Sequence, residues 1–276
     1  MGLQNNEFLG AGETASILYH DIFDYPLNVK EIIRWRVGKK GLSLFKKTKE
    51  VINIDGRYCL KGKENVLYKR ALRERASDRK IEIAKKSASI LVKFLTIKGV
   101  FITGALAMNN AEEESDIDLM IITKRNCLWA TRLLTYLVLR IMNYGVRKPG
   151  DINQKDKLCL NIWLDESALS WDRKDRNIYS AHEIAQVVPI VDKENIYQRF
   201  LQKNGWILDY WPNSVRIEEV RDKNKKNVKI NTFERTCFWI QYKYMAKKIT
   251  REKIGLHRAI FHPTNWGEVV LKKLSS

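Results

Sequence analysis

The sequence predicts an α/β protein of the α+β kind. A small mixed sheet is expected between an N-terminal helical unit carrying a hairpin and a C-terminal helical region. Three observations carry this expectation. Short β-rich runs at 97–103 (IKGVFIT), 117–123 (IDLMIIT) and 157–164 (KLCLNIWL) are separated by helical stretches. A single hairpin signal, Asp55-Gly56, lies between the alternating apolar residues Ile52, Ile54, Tyr58 and Leu60. The 276 residues are 45% hydrophobic and 30% charged, enough apolar material for a buried core shared among two or three units.

Taken in order, 13–23 suits a short amphipathic helix stopped by Asp24-Tyr25-Pro26. Asn28 and Glu31 form a capping-box pair for a second helix, which Gly38 or Gly41 ends. A third helical segment near 43–50 precedes the hairpin, and three helices followed by a hairpin describe a winged-helix-like domain over 1–63. Residues 64–96 contain no Pro or Gly and read as one long or slightly broken connecting helix. The strand and helix alternation then forms the core, 97–170, with helices near 105–111 and 126–144. The stretch 171–276 reads as mainly helical, with Phe233, Cys237, Ile240 and Tyr244 at helical spacing.

Composition excludes several classes. Cys59, Cys127, Cys159 and Cys237 never form a C-x-x-C pair, and His20, His182, His257 and His262 lack ligand spacing, so a disulfide scaffold or zinc site is not expected. The longest apolar stretch carries Arg132 and Arg140, and the N-terminus lacks a signal-peptide pattern, so a cytoplasmic protein with no membrane partner is expected. The net charge of +18 divides as +10 over 1–100, −1 over 101–200 and +9 over 201–276. A near-neutral middle between basic ends fits a catalytic or ligand-binding core whose neighbours face a polyanion, RNA or DNA included.

The chemistry concentrates in 103–123, TGALAMNNAEEESDIDLMIIT. Asp116 and Asp118 stand two apart at the start of a strand, so the pleat turns both carboxylates to one face. Paired carboxylates suit a hard cation such as Mg²⁺, which takes carboxylates together with substrate phosphates. Gly104 permits close backbone approach, and the helix after it offers free N–H groups to a phosphate.

Strand, glycine, short helix and then Ser115-Asp116-Ile117-Asp118 opening a second strand resembles the DNA polymerase beta-like nucleotidyltransferase superfamily over roughly residues 78–170. The wider layout, LYHDIFDYPL near the start and FHPTNW near the end, also looks like a group of prokaryotic proteins that carry this domain. The resemblance implies Mg²⁺-dependent transfer of a nucleoside monophosphate from a nucleoside triphosphate to a hydroxyl acceptor, with two metal ions clamping an in-line displacement. It implies that Asp116 and Asp118 hold the ions, that 97–170 is the nucleotidyltransferase core, and that Gly104, Ala105 and Ser115 meet the triphosphate. Ala105 stands where the family has serine. The third family carboxylate belongs on the later strand, where Asn161 is the mid-strand candidate and Asp165 follows on the same face.

Other basic residues were weighed as phosphate partners. Among Arg125, Arg132, Arg140, Arg147 and Lys148 beside the next helix, together with Lys124, the expected partners are Lys124 and Arg132. Arg70, Arg73, Arg75, Arg79 and Lys80 form either a phosphate-facing stripe or an ordinary solvated face, and Glu112-Glu113-Glu114 a solvated loop. The basic run 221–229 is the candidate contact for an anionic acceptor. Two alternatives stay open at this point. One is a pseudoenzyme that binds nucleotide without turnover. The other is a DNA-binding regulator, with Lys46, Lys47 and Lys49 on its third helix and Arg57 in the wing, although Leu44 and Phe45 also suit docking within the protein.

Overall fold

The computed structural model describes residues 9–46, 49–148, 150–220, 230–246, 249–250, 252–261 and 265–275. It is a mixed α/β structure, with a three-stranded antiparallel sheet and a six-stranded mixed sheet among the described residues.

The N-terminal unit runs α1 (Ala11–Asp21), β1 (Leu27–Asn28), α2 (Val29–Arg34), α3 (Lys39–Leu42), β2 (Val51–Ile54) and β3 (Arg57–Leu60). The Asn28 side chain accepts from Glu31 N while the Glu31 carboxylate accepts from Asn28 N, the expected capping box. Asp55 at φ +50° and Gly56 at φ +78° make the two-residue turn of the β2–β3 hairpin. The third helix lies earlier than the sequence suggests, at 39–42 rather than 43–50, because neighbouring chain fixes it there. Gly38 N donates to Tyr210 O at 2.7 Å, and a Cβ on Gly41 would sit 2.6 Å from Val37 Cγ1. Leu44 and Phe45 then pack on the apolar core instead of extending a helix.

The long helix α4 (Asn65–Leu91) spends several of its cations on ion pairs with other parts of the chain. Arg70 pairs with Glu31 and Glu74, Arg73 with Glu112, and Arg79 with Glu113 and Asp156. A phosphate-facing stripe is therefore absent at those positions, while Arg75 stays exposed.

The remaining elements are β4 (Ile97–Ile102), α5 (Gly104–Ala107), β5 (Ile117–Thr123), α6 (Leu128–Ile141), β6 (Leu158–Asp165), α7 (Ile178–Ala185), β7 (Val188–Asp192), α8 (Ile196–Lys203), α9 (Thr232–Ala246), β8 (Lys253–Gly255), β9 (Arg258–Ile260) and α10 (Trp266–Ser275). The central sheet has the order β7-β4-β5-β6-β9-β8, in which β5 and β6 are parallel and the other pairs antiparallel. Helix α6 is the crossover that the parallel pair requires. The region after 170 is thus less helical than expected, since it supplies β7, β8 and β9 to the central sheet. Two of these strands have three residues each and the third contains Pro189, too little alternation for periodicity to register.

Each face of the sheet has its own core, as the strand pleat dictates. Phe101, Met120, Ile122, Ile162 and Leu164 pack against α1, α7, α8 and α10. Val100, Leu119, Ile121 and Trp163 pack against α4, α6 and α9. The first core includes Ala15, Tyr19, Trp35 and Val37, so it crosses from the N-terminal unit into the later chain. At that crossing His20 and His182 meet Nε2 to Nε2 at 3.1 Å, walled by Tyr19, Trp35 and Trp211. Burial pushes His20 down to about 4 and His182 well below its ordinary value, so both imidazoles are neutral at pH 7. Among the described residues no helix is long and apolar enough to cross a membrane.

Candidate active site at the start of the parallel strand pair

The site forms where β4 ends and the parallel strands β5 and β6 begin. Thr103 N donates to Asp118 O at 3.0 Å, which ties the turn after β4 to β5. Gly104 follows at φ +61°, and a Cβ there would lie 2.5 Å from Asp118 Oδ2. Only glycine suits both the backbone angle and the carboxylate that fills its side-chain space. From behind, Lys80 is fully buried and donates to Glu113 O, Ser115 O and Asp156 Oδ1 at 3.0, 2.6 and 2.8 Å. That lysine fixes the loop leading into Asp116, so the carboxylate enters from a rigid segment.

Asp116 and Asp118 converge as the pleat requires. Arg147 Nη1 donates to Asp116 Oδ2 at 2.6 Å, and Asn161 Nδ2 donates to Asp118 Oδ1 at 2.6 Å. Cys159 lies directly across from Asp118 in the parallel register, and single ligand atoms of Asp116, Asp118 and Cys159 all fall within 4.8 Å of one another. Desolvation first and the Asp116 charge second push Asp118 up to about 7, opposed by a hydrogen bond from the Cys159 thiol and by Arg147. Burial and the two carboxylates also push the Cys159 thiol up, so without a metal it carries its proton at pH 7.

Helix α7 adds a fourth group. Glu183 is pushed up to about 8 by desolvation and then by the Asp118 charge. Gln186 Nε2 donates both to Glu183 Oε1 at 2.7 Å and to Gly104 O at 3.2 Å, which couples α7 to the glycine turn. Two buried acceptors beside the carboxylates, Thr103 Oγ1 and Asn161 Oδ1, have no hydrogen-bond partner. Other buried polar atoms without a partner, such as Tyr19 OH and Thr135 Oγ1, lie elsewhere, but these two stand beside the paired carboxylates, where an added polar ligand would satisfy them.

The donor set suits one hard divalent cation, held by the carboxylates of Asp116 and Asp118, with amide and hydroxyl oxygens close by. It does not supply the third carboxylate of a two-ion clamp. The adjoining strand offers a protonated thiol, Cys159, and a neutral amide, Asn161, in that place.

Not every expected residue comes to the site. Asp165 pairs with Thr123, five residues along β5 from Asp118, so about 17 Å of strand separates them. Its carboxylate is fully buried, accepting from Asn126 N at 3.1 Å, His257 Nδ1 at 2.7 Å, and Ser167 N at 2.7 Å, and it also bonds the Ser167 hydroxyl. Lys124 follows the far end of β5 and is exposed. Arg132 lies on α6, against the opposite face of the sheet, with its guanidinium over Tyr136 and Phe261 and bonded to Gln241 Oε1 at 2.7 Å. Arg147 occupies the place expected of those two cations. Ser115 spends its hydroxyl on Glu112 O at 2.8 Å, while Ala105 is exposed on the four-residue helix α5. Glu112, Glu113 and Glu114 pair with Arg73, Arg79 and Lys155.

Strict alternation along β6 puts Cys159 on the face of Asn161, so the strand pattern itself carries the signal for Cys159. What alternation does not foresee is the shift that follows, where Asp118 faces Cys159 but Met120 faces Ile162, one extra residue in β6. Glu183 had one available signal, an acid set among the buried residues Ile178, Ala181, Ile184 and Ala185 of α7. Compared with known proteins, the chain matches no family model, no curated protein and no solved structure.

Proposed function

We propose that this protein binds a nucleoside triphosphate with a divalent cation at Asp116 and Asp118 and transfers its nucleotidyl group to a hydroxyl acceptor. The observation that carries the reading is the pair of carboxylates on one strand face, with Asp118 filling the side-chain space of Gly104 at positive φ. In this reading the six-stranded sheet is the nucleotidyltransferase core and the N-terminal unit is a winged-helix-like domain.

Asp116 and Asp118 would hold a Mg²⁺ ion, which would supply polarisation of the α-phosphoryl group and charge neutralisation for the pyrophosphate leaving group. The chain's own residues do the rest. Gly104 leaves the backbone accessible to the phosphates, and Arg147 sits against Asp116, where it can turn to a phosphate oxygen once the cation takes over that carboxylate. Asn161 holds the Asp118 carboxylate in one orientation through its amide hydrogen. Glu183 stands close enough to feel the Asp118 charge and, with Thr103, lines a cavity under α7.

A nucleotide-binding protein without turnover is the second reading, and the neutral pair Cys159 and Asn161 favours it. A DNA-binding regulator is the weakest, since α3 is four residues long and the segment after it packs inward through Leu44 and Phe45. Lys46 and Lys49 are exposed, whereas Lys47 and the basic run 221–229 lie outside the described residues.

The test is incubation of the pure protein with Mg²⁺ and each α-labelled triphosphate, with a mixed cell extract as acceptor and Asp116→Ala as control. Label in an acceptor that vanishes with Asp116→Ala supports transfer. Metal-dependent binding without label supports the binding-only reading, and binding that ignores both metal and the two aspartates refutes the assignment.

A further inference from the structure

Beside the aspartates a cavity of about 490 Å³ runs between the sheet and the roof made by α7 and α10. That volume falls in the range of small-molecule sites, and a roofed slot does not admit a folded nucleic acid or a protein surface. Its two ends differ chemically. At the inner end stand Thr103, whose buried hydroxyl has no partner, and Glu183, tied through Gln186 to the Gly104 turn. The middle is aliphatic and aromatic, lined by Met120, Ile162, Ile184, Phe200, Ile260 and Leu271. The outer end reaches Lys174 and Lys253, the latter on β8, which is three strands across the sheet from β5, or about 14 Å. Lys253 pairs with Asp175, Arg176 lies over Trp206, and Glu268 is exposed at the same rim, so Lys174 tips the balance there toward positive.

We propose that this cavity binds a small amphipathic alcohol. Its hydroxyl lies between Thr103 and Glu183, its apolar body lies along Ile162 and Ile260, and an anionic group sits at Lys174. Resting on the nucleotidyl-transfer reading, this alcohol is the acceptor. Its oxygen bonds to the α-phosphorus, the bond from that phosphorus to the pyrophosphate oxygen breaks, and the electron pair leaves with pyrophosphate. The hydroxyl proton passes to the Glu183 carboxylate, so charge and atoms balance without a further reactant.

The probe is 12-hydroxydodecanoate, compared with dodecanoate, which lacks the hydroxyl, and 1,12-dodecanediol, which lacks the anion. Binding is read by calorimetry and by tryptophan fluorescence, since Trp171 and Trp266 line the cavity. The hydroxy acid is expected to bind at least fivefold tighter than either comparison compound. Thr103→Val should erase its advantage over dodecanoate, and Lys174→Glu, at an exposed position, should weaken both acids at least threefold while sparing the diol. No binding of any probe at millimolar concentration, or affinities that ignore both substitutions in folded protein, overturns the proposal. If the probes bind as expected but no triphosphate binds with Mg²⁺, the transfer reading fails and the cavity assignment stands. If α-label reaches RNA or protein of the extract while the probes do not bind, the reverse holds.

Discussion

Two aspartates sit at opposite ends of the same parallel strand pair and are treated by the protein in opposite ways. Asp165, at the far end of β6, is fully buried and saturated by donors from the chain around it. Asp118, at the near end of β5, has one amide donor and a thiol, faces the charge of Asp116, and is held up to about 7. A carboxylate that the fold satisfies serves the fold, whereas one left short of donors is available to something that brings positive charge.

The comparison can be broken most forcefully at the near end. Replacing Asp116 and Asp118 together by Ala is expected to reduce metal-dependent turnover by about a thousandfold or more, with melting temperature unchanged or raised, because two crowded carboxylates are removed. Initial rates with Mg²⁺ and labelled triphosphate, beside a thermal melt, check it. A sharp fall in melting temperature would make these residues structural like Asp165.

The far end should respond in the opposite sense. Asp165→Ala removes the acceptor of the buried Asn126 N–H, together with the partner of Ser167 and His257, and is expected to cost about 3 kcal/mol of stability, with nucleotide affinity retained in the folded fraction. Chemical denaturation measures the first and equilibrium binding the second. Loss of nucleotide affinity with normal stability would place Asp165 in the site after all.

Acid should act on a third place, the histidine joint. His20 has a folded-state value of about 4 against an ordinary 6.5, so the unfolded chain binds the extra proton between those values and stability falls as pH drops through that window. Between pH 6.5 and 5 the loss from His20 alone is about 1.6 kcal/mol, and His182 adds to it in the same direction. Denaturation midpoints across this range in wild type and His20→Phe test the claim; an equal slope in both proteins contradicts it. The smallest effect belongs to Lys124→Ala, expected within about 0.5 kcal/mol in stability and about twofold in nucleotide affinity, because the residue is exposed at the far end.

Legibility in the sequence followed the range of the interactions. Asn28 with Glu31, Asp55-Gly56 and the pair at 116 and 118 are decided within a few residues, and local rules suffice to read them. The strands β8 and β9 and the position of α3 are decided by partners far along the chain, such as Tyr210 for Gly38, and leave little local trace. At the site the same division holds. Asp116, Asp118 and Gly104 lie within fifteen residues and are visible together, whereas Cys159 depends on how β6 pairs with β5, Arg147 on the loop before β6, and Glu183 on the docking of α7. Lys124 and Arg132 are near the aspartates in sequence only, since one follows the far end of β5 and the other packs on the opposite sheet face.

The paired imidazoles carry a directional consequence. His20 Nδ1 lies 2.8 Å from Ser16 O, a carbonyl that can only accept, so the hydrogen of this neutral ring resides on Nδ1 and its Nε2 is bare. Any hydrogen between the two Nε2 atoms can then come only from His182. Gln186 spends its amide hydrogens on Glu183 and Gly104 O, so it meets the same His182 ring only as an acceptor. A neutral His182 has one hydrogen for these two neighbours, so the seam between the N-terminal unit and the Glu183 helix turns on where a single proton rests.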